Sequence, residues 1–220
     1  MKGRVPQERK ITEFSGGAVT SITHPLVLRE YPIAWGIPMD EIMYSKFFEL
    51  WNRNLNIMPW DEHIVAQSTY LPIARNLIHD RYLEGSKAPY LMMLDSDVIC
   101  PPNLVEKLLD HKLPIVGGWY KNKNMNYPPH PVVYDFVSES DSGINFKHRD
   151  APGTGLEKVD GMGAGCWLMS REVAEKLGKS PYAVNKATED LLISKKLMDL
   201  GIPLYVDWSL NCAHLGVQIV

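Results

Sequence analysis

Asp95 and Asp97, separated by Ser96, stand directly after the apolar run Tyr90-Leu91-Met92-Met93-Leu94. Two carboxylates one residue apart converge on one cation if the backbone turns between them, and hard oxygen donors suit Mn²⁺ or Mg²⁺. Such ions keep positions open for water and phosphate oxygens, which chemistry at a diphosphate requires. Taken alone, the same triplet is equally well explained as the turn that ends a strand. His214, after the apolar run Leu204-Tyr205-Val206, is a second candidate ligand, because an imidazole nitrogen serves Mn²⁺ adequately. It gains weight only from its pairing with the acids, since a lone histidine near a C-terminus is ordinarily a partly exposed side chain.

A second set of residues has the right types for work on a bound substrate. Glu189 and Asp190 fall in the first turn of a helical pattern, where the macrodipole favours negative charge. A carboxylate there can also take a proton from a hydroxyl within hydrogen-bond reach, and Asp190 is the candidate base. Arg75 carries a guanidinium able to bind phosphate oxygens bidentately, although a solvated helix arginine is the commoner case. Gly161, Gly163 and Gly165 alternate before an apolar strand, either to admit close approach of a sugar or as an ordinary bulge and turn. They are not the dinucleotide fingerprint, whose glycines lie between a strand and a helix.

The elements that must position these residues alternate between strand and helix. Pro32 to Pro38 reads as a buried strand that Pro38 closes, followed by a helix opened by Asp40 and Glu41 and running to about Trp51. A helix from Pro72 to Gly85 presents Ala74, Leu77, Ile78 and Tyr82 to the core, with Arg75, Asn76 and His79 on the opposite side. The Tyr90–Leu94 run is too short and too continuously apolar for a surface strand, so it belongs inside a mostly parallel sheet. Pro101 and Pro102 open a helix through about Leu109, and Ile115 to Gly118 returns to the sheet. Further strands follow at Val132–Phe136, Cys166–Met169 and Leu204–Val206, with helices at Arg171–Leu177 and Glu189–Leu200. In the last helix Thr188 is the N-cap, Gly201 the C′ residue, and Ile193, Leu197 and Leu200 the buried stripe. This alternation argues for an α/β layer with ligands outside the carboxyl ends of its strands. Residues 1–31 read as an N-terminal arm, and 121–155, rich in Asn, Ser, Asp, Gly and Pro, as a functional loop or hairpin suited to acceptor contacts.

Composition bounds the rest. At 220 residues, 45% hydrophobic and 22% charged, the chain matches one globular domain spanning 1–220. A net charge of −3 gives no general basic field for nucleic acid. Cys100, Cys166 and Cys212 are odd in number and lack a C-x-x-C, which argues against a disulfide framework, a disulfide-linked partner or a structural zinc site. No stretch reaches the roughly 18 apolar residues of a membrane span and the first residues lack the apolar core of a secretion signal, so a cytoplasmic location is expected.

Five strings in order, Ala74-Arg75-Asn76, Tyr90 to Asp97, Val159 to Arg171, Glu189 to Gly201, and His214, resemble the GT-A glycosyltransferases over roughly Ile33 to Gly216. The resemblance is closest to family-2-like members and to the small versions of bacteria and their viruses. It implies a GT-A fold with a mostly parallel sheet flanked by helices. It also implies transfer of a hexosyl or related sugar from a UDP- or GDP-sugar to an acceptor, with Mn²⁺ or Mg²⁺. Asp95 and Asp97 match the D-x-D element, with Asp97 the more direct metal ligand and His214 completing the site, and Ser96 beside the donor. Arg75 and Asn76 match the A-R-N element that contacts the nucleotide-sugar. Ile37, Pro38 and Met39 correspond to the wall of the nucleotide pocket, and Gly163-Ala164-Gly165 to the neighbourhood of donor sugar and acceptor. Glu189-Asp190 matches the E-D catalytic pair, whose second acid is the base in inverting relatives. Met39 replaces the Tyr or Asn common in relatives, and Lys195 and Lys196 stand where Arg is frequent. The Q-x-x-R-W element of processive synthases is absent, which implies transfer of one sugar at a time. The competing readings are a sugar-phosphate nucleotidyltransferase and a non-catalytic carbohydrate-binding domain.

Overall fold

The computed structural model of the chain describes residues 7–15, 18–26, 29–39, 45–123, 129–183 and 185–215, with the backbone alone at 7–26, 50 and 52–54. The expected helix start at Asp40 and Glu41, and Gly216, lie outside these residues. In chain order the elements begin with an antiparallel hairpin, β1 (Gln7–Ser15) and β2 (Ala18–Leu26), in the segment expected to be an arm. Next come β3 (Ala34–Met39), α1 (Ser45–Asn54), β4 (Glu62–Gln67), α2 (Leu71–Gly85), β5 (Tyr90–Leu94) and β6 (Val98–Ile99). The middle holds α3 (Leu104–Asp110), β7 (Ile115–Trp119), β8 (Val133–Ser140), β9 (Gly143–His148), β10 (Leu156–Val159) and β11 (Gly161–Met162). The chain closes with β12 (Cys166–Ser170), α4 (Arg171–Leu177), α5 (Glu189–Asp199), β13 (Leu204–Asn211) and β14 (Ala213–His214).

Seven strands form the central sheet in the order β10-β13-β7-β12-β5-β3-β4. β4, β3, β5, β7 and β13 run one way, and β12 and β10 run against them. The short apolar runs become strands here because both faces of the sheet are covered. Along β5, Leu91 and Met93 enter one core with Ala74 and Ile78 of α2, while Met92 and Leu94 enter the other with Leu104 and Leu108 of α3. β12 repeats the alternation, with Trp167 and Met169 on the α2 side and Cys166 and Leu168 on the α3 side. No helix among the described residues is long and apolar enough to cross a membrane.

Several expectations are corrected by packing. Pro38 does not end β3: pairing with β5 stops at Gly36, but pairing with β4 continues to Met39 opposite Gln67. β4 itself was not foreseen, its mixed sequence reflecting an edge position with Val65 43% exposed. Helix α2 buries Arg75 and His79, to 1% and 0% exposure, and leaves Leu77 40% exposed. The helix is covered on two sides, by β3 and β4 and by α4, so one apolar stripe does not describe it. α3 starts at Leu104, not at the prolines, after Asn103 at φ 59°. In α5, Ser194 is buried and Leu200 is exposed, while Thr188 is the N-cap residue and Gly201 follows the helix at φ 67° as expected. The excursion 121–155 contains two paired strands, β8 and β9, where one was expected.

The entry to the sheet is fixed by Asp61. Its carboxylate accepts from both terminal nitrogens of Arg29 at 2.9 and 2.6 Å, from the amides of Ile33 and Met58 at 2.9 Å each, and from Trp35 Nε1 at 3.0 Å. Burial opposes ionisation of this carboxyl, but its hydrogen bonds, led by Arg29, outweigh that and hold it below its ordinary value.

Candidate active site at the carboxyl ends of β3, β4 and β5

Three parallel strands end side by side, and the chain leaving each of them lines one cleft of about 180 Å³. Its walls are Pro38 and Met39 from β3, Ser68, Thr69 and Leu71 after β4, and Asp95, Ser96 and Asp97 after β5. This is the place where open α/β sheets take ligands, because the chain turns away there and leaves a crevice. The backbone after β5 does turn: the Val98 amide donates to the Asp95 carbonyl at 3.0 Å.

The two aspartates of this turn have different surroundings. Asp97 lies with Oδ1 3.4 Å from Nε2 of His214, and its Oδ2 pairs with the Lys123 ammonium. The contact exists because β14 pairs antiparallel with β6, setting His214 opposite Val98. His214 Nδ1 lies 2.9 Å from the Lys121 carbonyl, which can only accept, so Nδ1 carries the proton. In the neutral ring Nε2 then keeps its lone pair for a cation beside Asp97, the orientation that outer-shell carbonyls impose on metal-ligating histidines, whereas with a proton on Nε2 the ring donates to Asp97 instead. Burial works against ionisation of Asp97, but hydrogen bonds from His214 and Lys123 prevail and hold its carboxyl below its ordinary value.

Asp95 faces a buried guanidinium. Arg75 Nη2 lies 3.0 and 2.9 Å from the two Asp95 oxygens, while Nη1 donates to Glu189 Oε1 at 2.9 Å and to Asp190 Oδ1 at 2.6 Å. Three acids therefore surround one cation. Burial raises the carboxyl groups of Asp95 and Glu189 above their ordinary values, and the Arg75 charge only partly offsets it. Asp190 Oδ1 also accepts from the Ala164 amide at 3.1 Å, and among the described residues its Oδ2 makes no hydrogen bond. Gly163 and Gly165 bring the strand lead-in close to this cluster. A Cβ on Gly165 would sit 2.4 Å from Asp95 Oδ2, and one on Gly163 would sit 2.3 Å from the Tyr120 hydroxyl. That hydroxyl accepts from the Gly165 amide at 3.0 Å, and burial together with Asp190 and Asp95 pushes its ionisation far up.

No family model matches the sequence, and no curated protein does. Solved structures do match. The crystal structure of A197 from STIV is similar at a TM-score of 0.62 and 21% identity over 84% of this chain and 86% of that one. GalNAc-T7, solved with UDP, GalNAc and Mn²⁺, is similar at a TM-score of 0.58 and 12% identity over 86% of this chain. The matched part is 44% of the GalNAc-T7 chain, under half of its length. The chain has the GT-A fold.

Within this GT-A fold the expected site residues divide into groups. Pro38, Met39, Asp95, Ser96 and Asp97 share the cleft, and Asp97 lies beside His214. Ile37 does not line the cleft; it lies two residues before the end of β3 and is buried in the core with Trp35 and Phe47. Arg75 does not face an open phosphate site, because its terminal nitrogens are committed to three carboxylates. Asn76 is likewise committed: its Nδ2 donates to the Tyr182 carbonyl at 2.7 Å and its Oδ1 accepts from the Tyr182 amide at 2.8 Å. Asp95 lines the cleft, yet both its oxygens approach Arg75, which separates its surroundings from those of Asp97. Gly163 and Gly165 are crowded by the protein's own Tyr120 and Asp95. Sequence reasoning missed Ser68, Thr69, Tyr120 and Lys123. The first pair was legible only through β4, and Tyr120 and Lys123 carry no motif.

Proposed function

We propose that this chain is a glycosyltransferase that moves one sugar from a nucleoside-diphosphate-sugar, a UDP-sugar in preference to a GDP-sugar, to an acceptor hydroxyl. The observation that carries the reading is the approach of Asp97 Oδ1 to Nε2 of His214, 3.4 Å apart, beside a cleft formed by strand ends. Two cis ligands on a cation at about 2.1 Å stand about 3 Å apart, so this pair fits Mn²⁺ or Mg²⁺ with little adjustment. The Lys123 ammonium on Asp97 marks the same position as favourable to positive charge. When bound, the cation supplies charge compensation for the leaving diphosphate. The UDP and Mn²⁺ held by GalNAc-T7 support this choice of donor and ion.

The remaining roles fall to the chain's own groups. Met39, Ser68 and Thr69 hold the nucleotide in the cleft, with Ser96 beside the diphosphate. Asp190 is held by Arg75 and the Ala164 amide through Oδ1, which leaves Oδ2 to take the acceptor's proton. As the acceptor oxygen bonds to the anomeric carbon, the bond from that carbon to the diphosphate oxygen breaks, and the nucleoside diphosphate departs. Glu189 and Asp95 keep Arg75 in place beneath Asp190. The β8–β9 hairpin forms the acceptor side. The family-2-like type, a single domain over 1–220 and a cytoplasmic location complete the reading.

The test is to incubate the purified chain with a panel of nucleotide-sugars, with and without Mn²⁺, and to follow nucleoside diphosphate. Metal-dependent release from one donor is expected. Pyrophosphate formation from a sugar phosphate and a nucleoside triphosphate, or saturable sugar binding with no turnover on any donor, would overturn the reading.

A further inference from the structure

We propose that Cys100, Cys166 and Cys212 form a three-sulfur site for a soft thiophilic cation, with Cu(I) the preferred ion. Their spacing, 66 residues from Cys100 to Cys166 and 46 from Cys166 to Cys212, gave no sign of a cluster. The fold nevertheless brings the three together. Cys166 opens β12, Cys100 follows β6, and Cys212 lies between β13 and β14. The sulfur of Cys166 is 3.9 Å from that of Cys100 and 3.6 Å from that of Cys212, and all three lie within 4.8 Å of one another. No disulfide joins them.

These separations suit one ion. A metal bonded to three sulfurs in a plane at about 2.3 Å holds them about 4 Å apart, close to the distances present. Gly118 leaves the room, since a Cβ there would stand 3.2 Å from the Cys212 sulfur and 3.3 Å from the Cys166 sulfur. The surroundings decide the kind of ion. All three side chains are buried in the apolar core on the α3 side, at 4% exposure or less, and the group includes no histidine or carboxylate. Structural zinc is almost always four-coordinate, whereas a group of three soft thiolates, with no fourth His, Cys, Asp or Glu beside it among the described residues, favours Cu(I), which accepts three ligands. Each S–H bond that breaks is replaced by an S–Cu bond, its proton passes to solvent, and copper keeps its oxidation state. Bound there, the ion would tie β6 to β14 from behind, the two strands that set His214 beside Asp97. The site is independent of the transferase reading, because it needs neither the cleft nor a nucleotide.

The test is an anaerobic titration of the reduced 220-residue chain with Cu(I) buffered by a chromogenic chelator, followed by X-ray absorption at the copper edge. One equivalent retained against the chelator is expected, with three sulfurs and no nitrogen or oxygen in the first shell. Cys100→Ala and Cys212→Ala, checked for folding by circular dichroism, should each weaken uptake by more than about 100-fold, beyond the loss typical of outer-shell changes. Failure of the wild-type chain to hold copper against the chelator would overturn the proposal whether or not the variants fold. A shell containing nitrogen or oxygen, or a preference for Zn²⁺ with four ligands, would overturn it equally.

Discussion

Arg75 Nη1 lies 2.6 Å from Asp190 Oδ1, joining residues 115 positions apart in the chain. The same nitrogen reaches Glu189, and its twin reaches Asp95, so one guanidinium of 1% exposure anchors the start of α5 to the end of β5. In a low-dielectric site this arrangement fixes the direction of the Asp190 carboxylate while leaving one of its oxygens available.

Removing that guanidinium should be costly. Arg75→Met leaves Asp95, Glu189 and Asp190 without their shared counter-charge, and breaking a buried ion pair from one side costs about 3 to 5 kcal/mol. The expected result is a lower urea midpoint for Arg75→Met. Recovery of part of the loss is expected at low pH, where the acids whose carboxyl groups burial has raised are protonated. A midpoint within experimental error of wild type at neutral pH would show that the cluster does not need its cation.

Asp190→Asn separates position from proton transfer. The amide oxygen can still accept from Arg75 and from the Ala164 amide, but the side chain can no longer take a proton. Sugar transfer is expected to fall by about 10²- to 10⁴-fold, with thermal midpoint and donor binding near wild type. Wild-type transfer rates in this variant would remove Asp190 from the role of base.

The cation site can be read without turnover. Mn²⁺ titration followed by electron paramagnetic resonance should show one bound ion per chain, weakened by about 10-fold or more in His214→Ala and lost in Asp97→Ala. Lys123→Gln should tighten binding, because the Lys123 ammonium competes for Asp97. Equal Mn²⁺ affinity in all of these proteins would place the ion elsewhere.

His79 gives a pH signature. The ring is 0% exposed, both its nitrogens lack hydrogen-bond partners among the described residues, and burial pushes its pKa down from 6.5 to about 4. The folded chain thus binds fewer protons than the unfolded chain between those values, so stability is full above pH 6.5 and falls as pH drops through about 4. The loss amounts to about 3 kcal/mol at about 1.4 kcal/mol per pKa unit. His79→Phe should flatten that part of a urea stability profile between pH 7 and pH 4. An unchanged slope would mean that His79 finds a proton partner in the fold.

The central strands were legible because a continuous apolar run of five residues, such as Tyr90–Leu94, has few uses other than a strand covered on both faces, whereas edge strands such as β4 carry no such run. The Asp-Ser-Asp turn, α4, the first turn of α5 and Gly201 after it were legible for the same local reason: caps, periods and turns are written within a few residues of where they act. The tertiary structure alone decided how the polar groups are partnered. Arg75 reads as a solvated helix residue until Asp95, Glu189 and Asp190 arrive from distant segments to make its burial tolerable, and Asn76 reads as a ligand until the Tyr182 backbone occupies both ends of its amide. His214 meets Asp97 only because two-residue strands, too short to carry a pattern, pair β14 with β6. Hydrophobic order is a short-range signal along the chain, whereas neutralising a buried charge is a contract between residues that only the folded chain brings within 3 Å.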